Sequence, residues 1–174
     1  VHRASIGSGD RVAVIGVGMI GLLVMQVLKA KGASEIVAVD IDPVKLERAA
    51  GLGADRTASS AAGMDLDAAI EAVGVPETVE MAVMSVRKGG SVVLVGNLSP
   101  GVEIPLQAIV TRELTLFGSC ASQGDYGESL DLIASGRVRV DSMISASVPL
   151  ENAAEAFDRL YRGEAGLMKV LVCP

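Results

Sequence analysis

Gly16, Gly18 and Gly21 stand in a G-x-G-x-x-G spacing, and Asp40 follows 24 residues after Gly16. Each glycine has a separate physical task. Gly16 permits a tight turn, Gly18 lets the backbone approach a pyrophosphate, and Gly21 lets a helix lie close to a strand. Met19 and Ile20 open that helix, where unpaired N–H groups and the positive end of the dipole suit an anion. Asp40 would accept hydrogen bonds from both hydroxyls of an adenosine ribose and repel a 2′-phosphate. Ile41 and Asp42 come next, with no arginine at once to receive such a phosphate, so the pattern favours NAD over NADP. Lys45 and Arg48 lie on the following helix and would attract a phosphate; as plain solvated surface they would do nothing of the kind. The glycine spacing alone is common. The specific signal is the acid at the end of the next strand.

Residues for metal or covalent chemistry are sparse. His2 is the one histidine, and Cys120 and Cys173 are far apart without a C-x-x-C pair. The expectation is two reduced thiols, no metal site and no catalytic residue within this chain.

The elements that must position the glycines and Asp40 read as strand, turn, helix, strand over Arg11 to Asp40. The apolar run Val12–Ala13–Val14–Ile15 suits a central parallel strand, read over Arg11 to Val17. A helix is expected over Met19 to Lys31, with Ile20, Leu23, Val24, Val27 and Leu28 on one face, Leu22 and Met25 on the other, and Gly32 ending it. A second strand runs from Glu35 to Asp40. Asp42 caps a helix that begins with Pro43 and turns Leu46, Ala49 and Ala50 inward. Residues 54–58 are at best a short third strand. Further strands are expected over 66–73, 91–96 and 114–119, with a helix over 76–87 carrying Val79, Ala82, Val83 and Val86 inward. The alternation predicts an α/β doubly wound parallel sheet of Rossmann type, in three layers. Ligands in such sheets bind outside the carboxyl ends of the strands, which adds Ala72, Val73, Gly74, Val95, Gly96, Asn97, Gly118 and Ser119 to the candidate site. A helix at 126–135, a strand at 144–148, a helix at 151–162 and a strand at 169–173 follow. This predicts a nucleotide-binding domain over 1–143 and a helix–strand tail over 144–174.

The chain has 174 residues, a net charge of −6 and half of its residues hydrophobic. That composition supports a packed core and argues against general nucleic-acid binding. No run of eighteen apolar residues or signal-peptide pattern is visible, which points to a cytoplasmic protein without a membrane span.

The runs GDRVAVIGVGMIGLL, VDIDPVKLERAAGLGAD, EAVGVPETVEMAVMSVRKGGSVVLVG and LTLFGS resemble the cofactor domain of zinc-type medium-chain alcohol dehydrogenases. The likeness is nearest to the sorbitol, butanediol and threonine dehydrogenase branch. It implies NAD(P)-linked oxidation of a small alcohol or polyol to a carbonyl. By the same resemblance, Asp40 would hold the adenosine ribose with Lys45 nearby, and Val73 and Gly74 would line the groove. The backbones at Val95, Ser119 and Ala121 would reach the carboxamide. The ending ENAAEAFDRLYRGEAGLMKVLV resembles the return into a catalytic domain. That domain, with its zinc ligands, is not among these residues. The chain, which starts at Val1, is therefore read as part of a longer protein that binds cofactor without turnover by itself. A second departure is the short stretch 59–65, where the family carries a helix; a reduced third strand and a thinly covered sheet face are expected. The apolar edge strand over 114–119 is expected to pair in a homo-oligomer. Two other readings stay open: a free-standing nucleotide-sensing module, and the cofactor domain of a zinc-independent quinone-reductase relative.

Overall fold

Six parallel strands build the sheet, in the order β3-β2-β1-β4-β5-β6. A computed structural model describes residues 1–174 except Ser5 and Gln123, together with all side chains but that of Arg3 among the rest. Ser5, within the expected lead-in, lies outside the described residues. The strands are β1 (Arg11–Ile15), β2 (Glu35–Val39), β3 (Arg56–Ala58), β4 (Leu66–Glu71), β5 (Val86–Leu94) and β6 (Thr115–Gly118). The chain winds outward from β1 to β3, returns to the centre at β4, and winds outward again to β6. The reversal between β1 and β4 opens a crevice at their carboxyl ends.

The chain divides into two compact units, Val1–Val138 and Arg139–Pro174. The division falls before the expected position at 143/144, and the 3-10 turn Asp141–Met143 goes with the second unit. In that unit β7 (Ile144–Pro149) and β8 (Lys169–Cys173) pair in parallel, joined through a helix over Ala153–Tyr161. That helix buries Ala156, while Phe157 and Tyr161 are 74% and 87% exposed.

Helix α1 (Met19–Ala30) shows how an all-apolar helix misleads a face assignment. Its buried side chains are Leu22, Met25, Gln26 and Leu28, whereas Ile20 is exposed and Leu23, Val24 and Val27 are half-buried. The expected inner face is thus, apart from Leu28, the outer one. Gly21 must face β1, and Leu22, Met25 and Leu28 follow it by helical spacing. Helix α2 (Pro43–Gly51) starts as expected, with the Asp42 carboxylate accepting the Val44 N–H at 2.9 Å. Only Ala49 of its expected inner face is buried; Ala50 points to solvent.

Across the other sheet face, Ala13, Ile15, Val37, Val39, Ala69 and Val92 pack with Ala82 of α3 (Pro76–Ser85). The third strand is reduced to three residues, as expected. The face beside it is not thinly covered, however. Ala61 is fully buried in that core and Met64 packs against it, while the Gly63 N–H donates to the Met84 carbonyl. Seven residues suffice for the crossover because a small apolar plug replaces a helix. Val86 opens β5 instead of closing α3, and residues 87–90 bulge out between the pairs Leu66–Val86 and Ala68–Ser91. A six-residue helix, α4 (Leu106–Thr111), was not expected from the sequence. Helix α5 (Tyr126–Ala134) ends before Gly136, whose φ is +71°.

The amino ends of five strands are joined by three ion pairs and one backbone-to-carboxylate hydrogen bond. Arg56 of β3 bonds Glu35 of β2 at 3.2 Å, and Glu35 takes the Arg11 guanidinium of β1 at 2.8 Å. The Arg11 N–H donates to Asp67 of β4 at 2.8 Å, and Asp67 takes Arg87 of β5 at 2.7 Å. The Arg11 and Arg56 hydrogen bonds hold the Glu35 carboxyl below its ordinary 4.5. The Arg11 backbone N–H and then Arg87 hold Asp67 below its ordinary 3.8. A depressed folded-state pKa adds stability that is present above the unfolded value and lost as pH falls through the folded one. Unfolding by urea should therefore show a midpoint that drops as pH is lowered below about 4.5. In Glu35→Gln/Asp67→Asn, the midpoint should be lower at neutral pH and its acid dependence flatter; an acid limb of unchanged steepness would refute the assignment.

Candidate functional site

The carboxyl ends of the strands bring most of the sequence-selected residues into one row. Leaving β1, the chain turns at Gly16, whose φ is +85°, a region closed to most side chains. The Gly16 N–H donates to the Val39 carbonyl of β2 at 2.8 Å, and the Ala72 N–H donates to the Ile15 carbonyl at 2.8 Å. The turn is thereby tied to both neighbouring strands. A Cβ on Gly16 would lie 2.3 Å from Val73 Cγ2, so the turn also touches the end of β4.

Gly21 has no room for a side chain either: its Cβ would meet the Gly16 carbonyl oxygen at 1.9 Å. Gly18 is the opposite case. A Cβ there meets nothing within 4 Å, and the residue caps α1 without any side chain to occupy the first N–H groups. The space beside Gly18 is open, and the backbone donors of Met19 and Ile20, which suit a pyrophosphate, start at that point. The turn therefore fits the ligand implied by its spacing.

Asp40 stands at the end of β2 with its side chain only 8% exposed. One carboxylate oxygen accepts the Val17 N–H at 3.1 Å, and the other accepts the Asp42 N–H at 3.0 Å. The carboxylate is thus fixed to the glycine turn by a bond from the residue between Gly16 and Gly18. An ionised carboxylate has about four acceptor sites, so two remain for hydroxyl donors. Lys45 Nζ lies 3.7 Å from the carboxylate and is half-exposed. Ile41 is 92% exposed beside it.

The ends of β4 and β5 meet each other. A Cβ on Gly74 would come within 2.2 Å of the Asn97 nitrogen, and one on Gly96 within 2.2 Å of the Val73 carbonyl carbon. The Ser119 N–H donates to the Leu94 carbonyl at 2.9 Å, which aligns the end of β6 with Val95. Gly118 ends β6 and is exposed. Ala121 is exposed with φ +56°. Sequence reasoning missed Glu71, a fully buried carboxylate at the end of β4. Its signal was a charged residue closing the otherwise apolar end of the run Ala68–Ala69–Ile70.

A second concavity shares Ile20 and Ser119 with the candidate site and otherwise lies over other residues. A groove of about 590 Å³ runs over the outer face of α1, lined by Ile20, Leu23, Val24 and Val27 with Ser119 and Leu132. Neither Gly18 nor Asp40 lines it, so its size does not make it the dinucleotide site. At its rim His2 lies 3.2 Å from Glu128 and 3.4 Å from Asp125, and Lys31 bonds Glu128 at 2.9 Å. Among the described residues, no group of three or more His, Cys, Asp and Glu is placed to hold a metal ion. His2 and Cys120 line the groove, whereas Cys173 ends β8 in the other unit. This donor set does not fit a catalytic zinc, which needs three protein ligands around an open position. Among the described residues no helix is long and apolar enough to cross a membrane.

Comparison with known proteins gives a consistent result. The sequence model of the family described as zinc-binding dehydrogenase matches residues 19–135. A probable D-xylulose reductase A of Aspergillus terreus is 35% identical over 94% of this chain and 51% of its own length. The solved structure of L-idonate 5-dehydrogenase from Escherichia coli superposes with a TM-score of 0.91 at 27% identity, over 99% of this chain and 52% of that one. A zinc-binding dehydrogenase of Sinorhizobium meliloti, solved bound to NADP, gives 0.89 at 32% identity, over 98% and 54%. The chain spans about half the length of the curated relatives it matches.

The two helix-side glycines should respond differently to the same methyl group. Gly21→Ala overpacks the turn and should cost roughly 1–3 kcal/mol of stability. Gly18→Ala, in open space with ordinary φ, should lose less, about 0.5–1 kcal/mol, the loss arising because alanine is the poorer N-cap. Thermal or urea unfolding of the two variants checks this, and equal losses would contradict the geometry.

Proposed function

The chain belongs to the zinc-binding dehydrogenase family, and from that premise we propose that it is the NAD-binding half of an alcohol or polyol dehydrogenase. The observation that carries the reading is the Asp40 carboxylate, fixed by the Val17 N–H at the edge of the open Gly18 turn. Gly16, Gly18, Met19 and Ile20 hold the pyrophosphate through backbone N–H groups. Asp40 takes the adenosine ribose, with Ile41 and Lys45 alongside. Val73, Gly74, Val95 and Ser119 form the floor toward the nicotinamide, with Ala72, Gly96, Asn97, Gly118 and Ala121 flanking it. The bound cofactor supplies hydride acceptance from a CH–OH carbon; these residues supply its position and electrostatic surroundings.

In the whole protein, substrate and zinc belong to residues beyond this chain, because the donors present here do not fit a catalytic zinc. By itself this chain binds cofactor without turnover. Residues 144–174 are the return toward that catalytic part, and the exposed Phe157 and Tyr161 are the surface it covers. The edge strand β6 pairs with its counterpart in a second copy, since among the described residues its outer row of backbone groups has no neighbouring strand. Sedimentation should show a dimer at micromolar concentration; a pure monomer would remove this part of the proposal.

NAD is preferred because a buried carboxylate meets the ribose 2′-position. The NADP-bound relative and Lys45, 3.7 Å from Asp40, define the competing outcome. In calorimetric titration NADH should bind at least about tenfold more tightly than NADPH. Asp40→Ser should narrow that ratio chiefly by weakening NADH. Tighter binding of NADPH would overturn the preference, and binding of neither would overturn the dinucleotide reading.

A further inference from the structure

Glu71 gathers four backbone N–H groups from two different turns. Its side-chain Oε1 accepts from Val73 at 2.8 Å and from Gly74 at 2.7 Å. Its main-chain carbonyl accepts from Val95 at 2.9 Å and from Gly96 at 3.1 Å. The residue is fully buried, paired with Ile15 of β1 on one side and Leu94 of β5 on the other. The two turns it holds pack against each other so closely that a Cβ on Gly74 would overlap the Asn97 backbone and one on Gly96 the Val73 backbone. The first also presses on the glycine turn through Val73.

We infer that the Glu71 side chain is a positioning group for the nicotinamide half of the groove, setting the Val73–Gly74 backbone, and through it the Gly96–Asn97 turn packed on it, without touching the cofactor. The inference rests on the dinucleotide reading proposed above. Its other oxygen, Oε2, is buried and has no hydrogen-bond partner. Nothing among the described residues uses that second oxygen, so the demand on the side chain is an acceptor at Oε1. The carbonyl of an amide meets that demand, with its NH2 group in the place of Oε2. An apolar residue of similar size does not, and leaves two backbone donors to turn away or stay unpaired. The glycine turn and Asp40 are held by the Gly16–Val39 and Val17–Asp40 hydrogen bonds, and among the described residues Glu71 reaches that turn through the packing of Val73 against Gly16 and not through a hydrogen bond. The adenosine half of the groove should therefore be indifferent to the substitution.

The experiment compares the wild-type chain with Glu71→Leu and Glu71→Gln, using NADH followed by nicotinamide fluorescence and ADP-ribose followed by calorimetry. Glu71→Leu should weaken NADH by about tenfold or more and leave ADP-ribose within about twofold. Glu71→Gln should restore NADH affinity and its emission to near the wild-type level. Equal losses of NADH and ADP-ribose in Glu71→Leu, or no rescue by glutamine, would overturn the positioning role. Unchanged NADH binding in Glu71→Leu would do the same while leaving the dinucleotide reading intact. Binding of neither ligand by the wild-type chain would sink that reading and this one with it. Should the leucine variant not fold, Glu71→Asp reads out the same split, because its acid is one methylene short of the two N–H groups.

Discussion

Helix α1 can begin where it does only because Gly21 carries no side chain. A Cβ at that position would overlap the Gly16 carbonyl oxygen at 1.9 Å. The close approach puts the first backbone donors of α1 directly above the end of β1. It also forces Leu22, Met25 and Leu28 onto the sheet and sends Ile20, Leu23, Val24 and Val27 outward. One missing methyl group thereby fixes the site and the layer above it.

The two ends of the sheet are held by different means. At the amino ends, alternating Arg and acid side chains run in strand order from Arg56 to Arg87. At the carboxyl ends, fixation is mostly by backbone N–H groups and glycine contacts, with Asp40 and Glu71 as the acceptors. Surface ion pairs contribute modestly to stability. Backbone contacts take up little space, and a flat ligand needs that space left open. The fold puts bulk and charge where the strands start and small residues where they end.

Much of this was legible in the sequence. The glycine spacing, Asp40, the Asp42–Pro43 helix start and the alternation of strands and helices all depend on local chemistry, and all reappear. What was not legible depended on tertiary choice. Both faces of α1 are apolar, so periodicity could not say which one Gly21 would turn inward. Ala61 and Met64 cover a face that the absence of a helix was expected to leave bare, because small apolar residues in a loop give no periodic signal. Helix α4 has six residues, too few for a pattern. Glu71 reads as an ordinary polar strand end until its four N–H donors are seen around it.

A crystal structure of this chain grown with NADH would show whether a dinucleotide lies across the Gly18 turn with its adenosine ribose at Asp40. Both ribose hydroxyls should lie within hydrogen-bond distance of the Asp40 carboxylate, with the pyrophosphate on the N–H groups of Met19 and Ile20. A nucleotide found instead in the groove lined by Leu23, Val24 and Val27, or with its ribose away from Asp40, would contradict that placement.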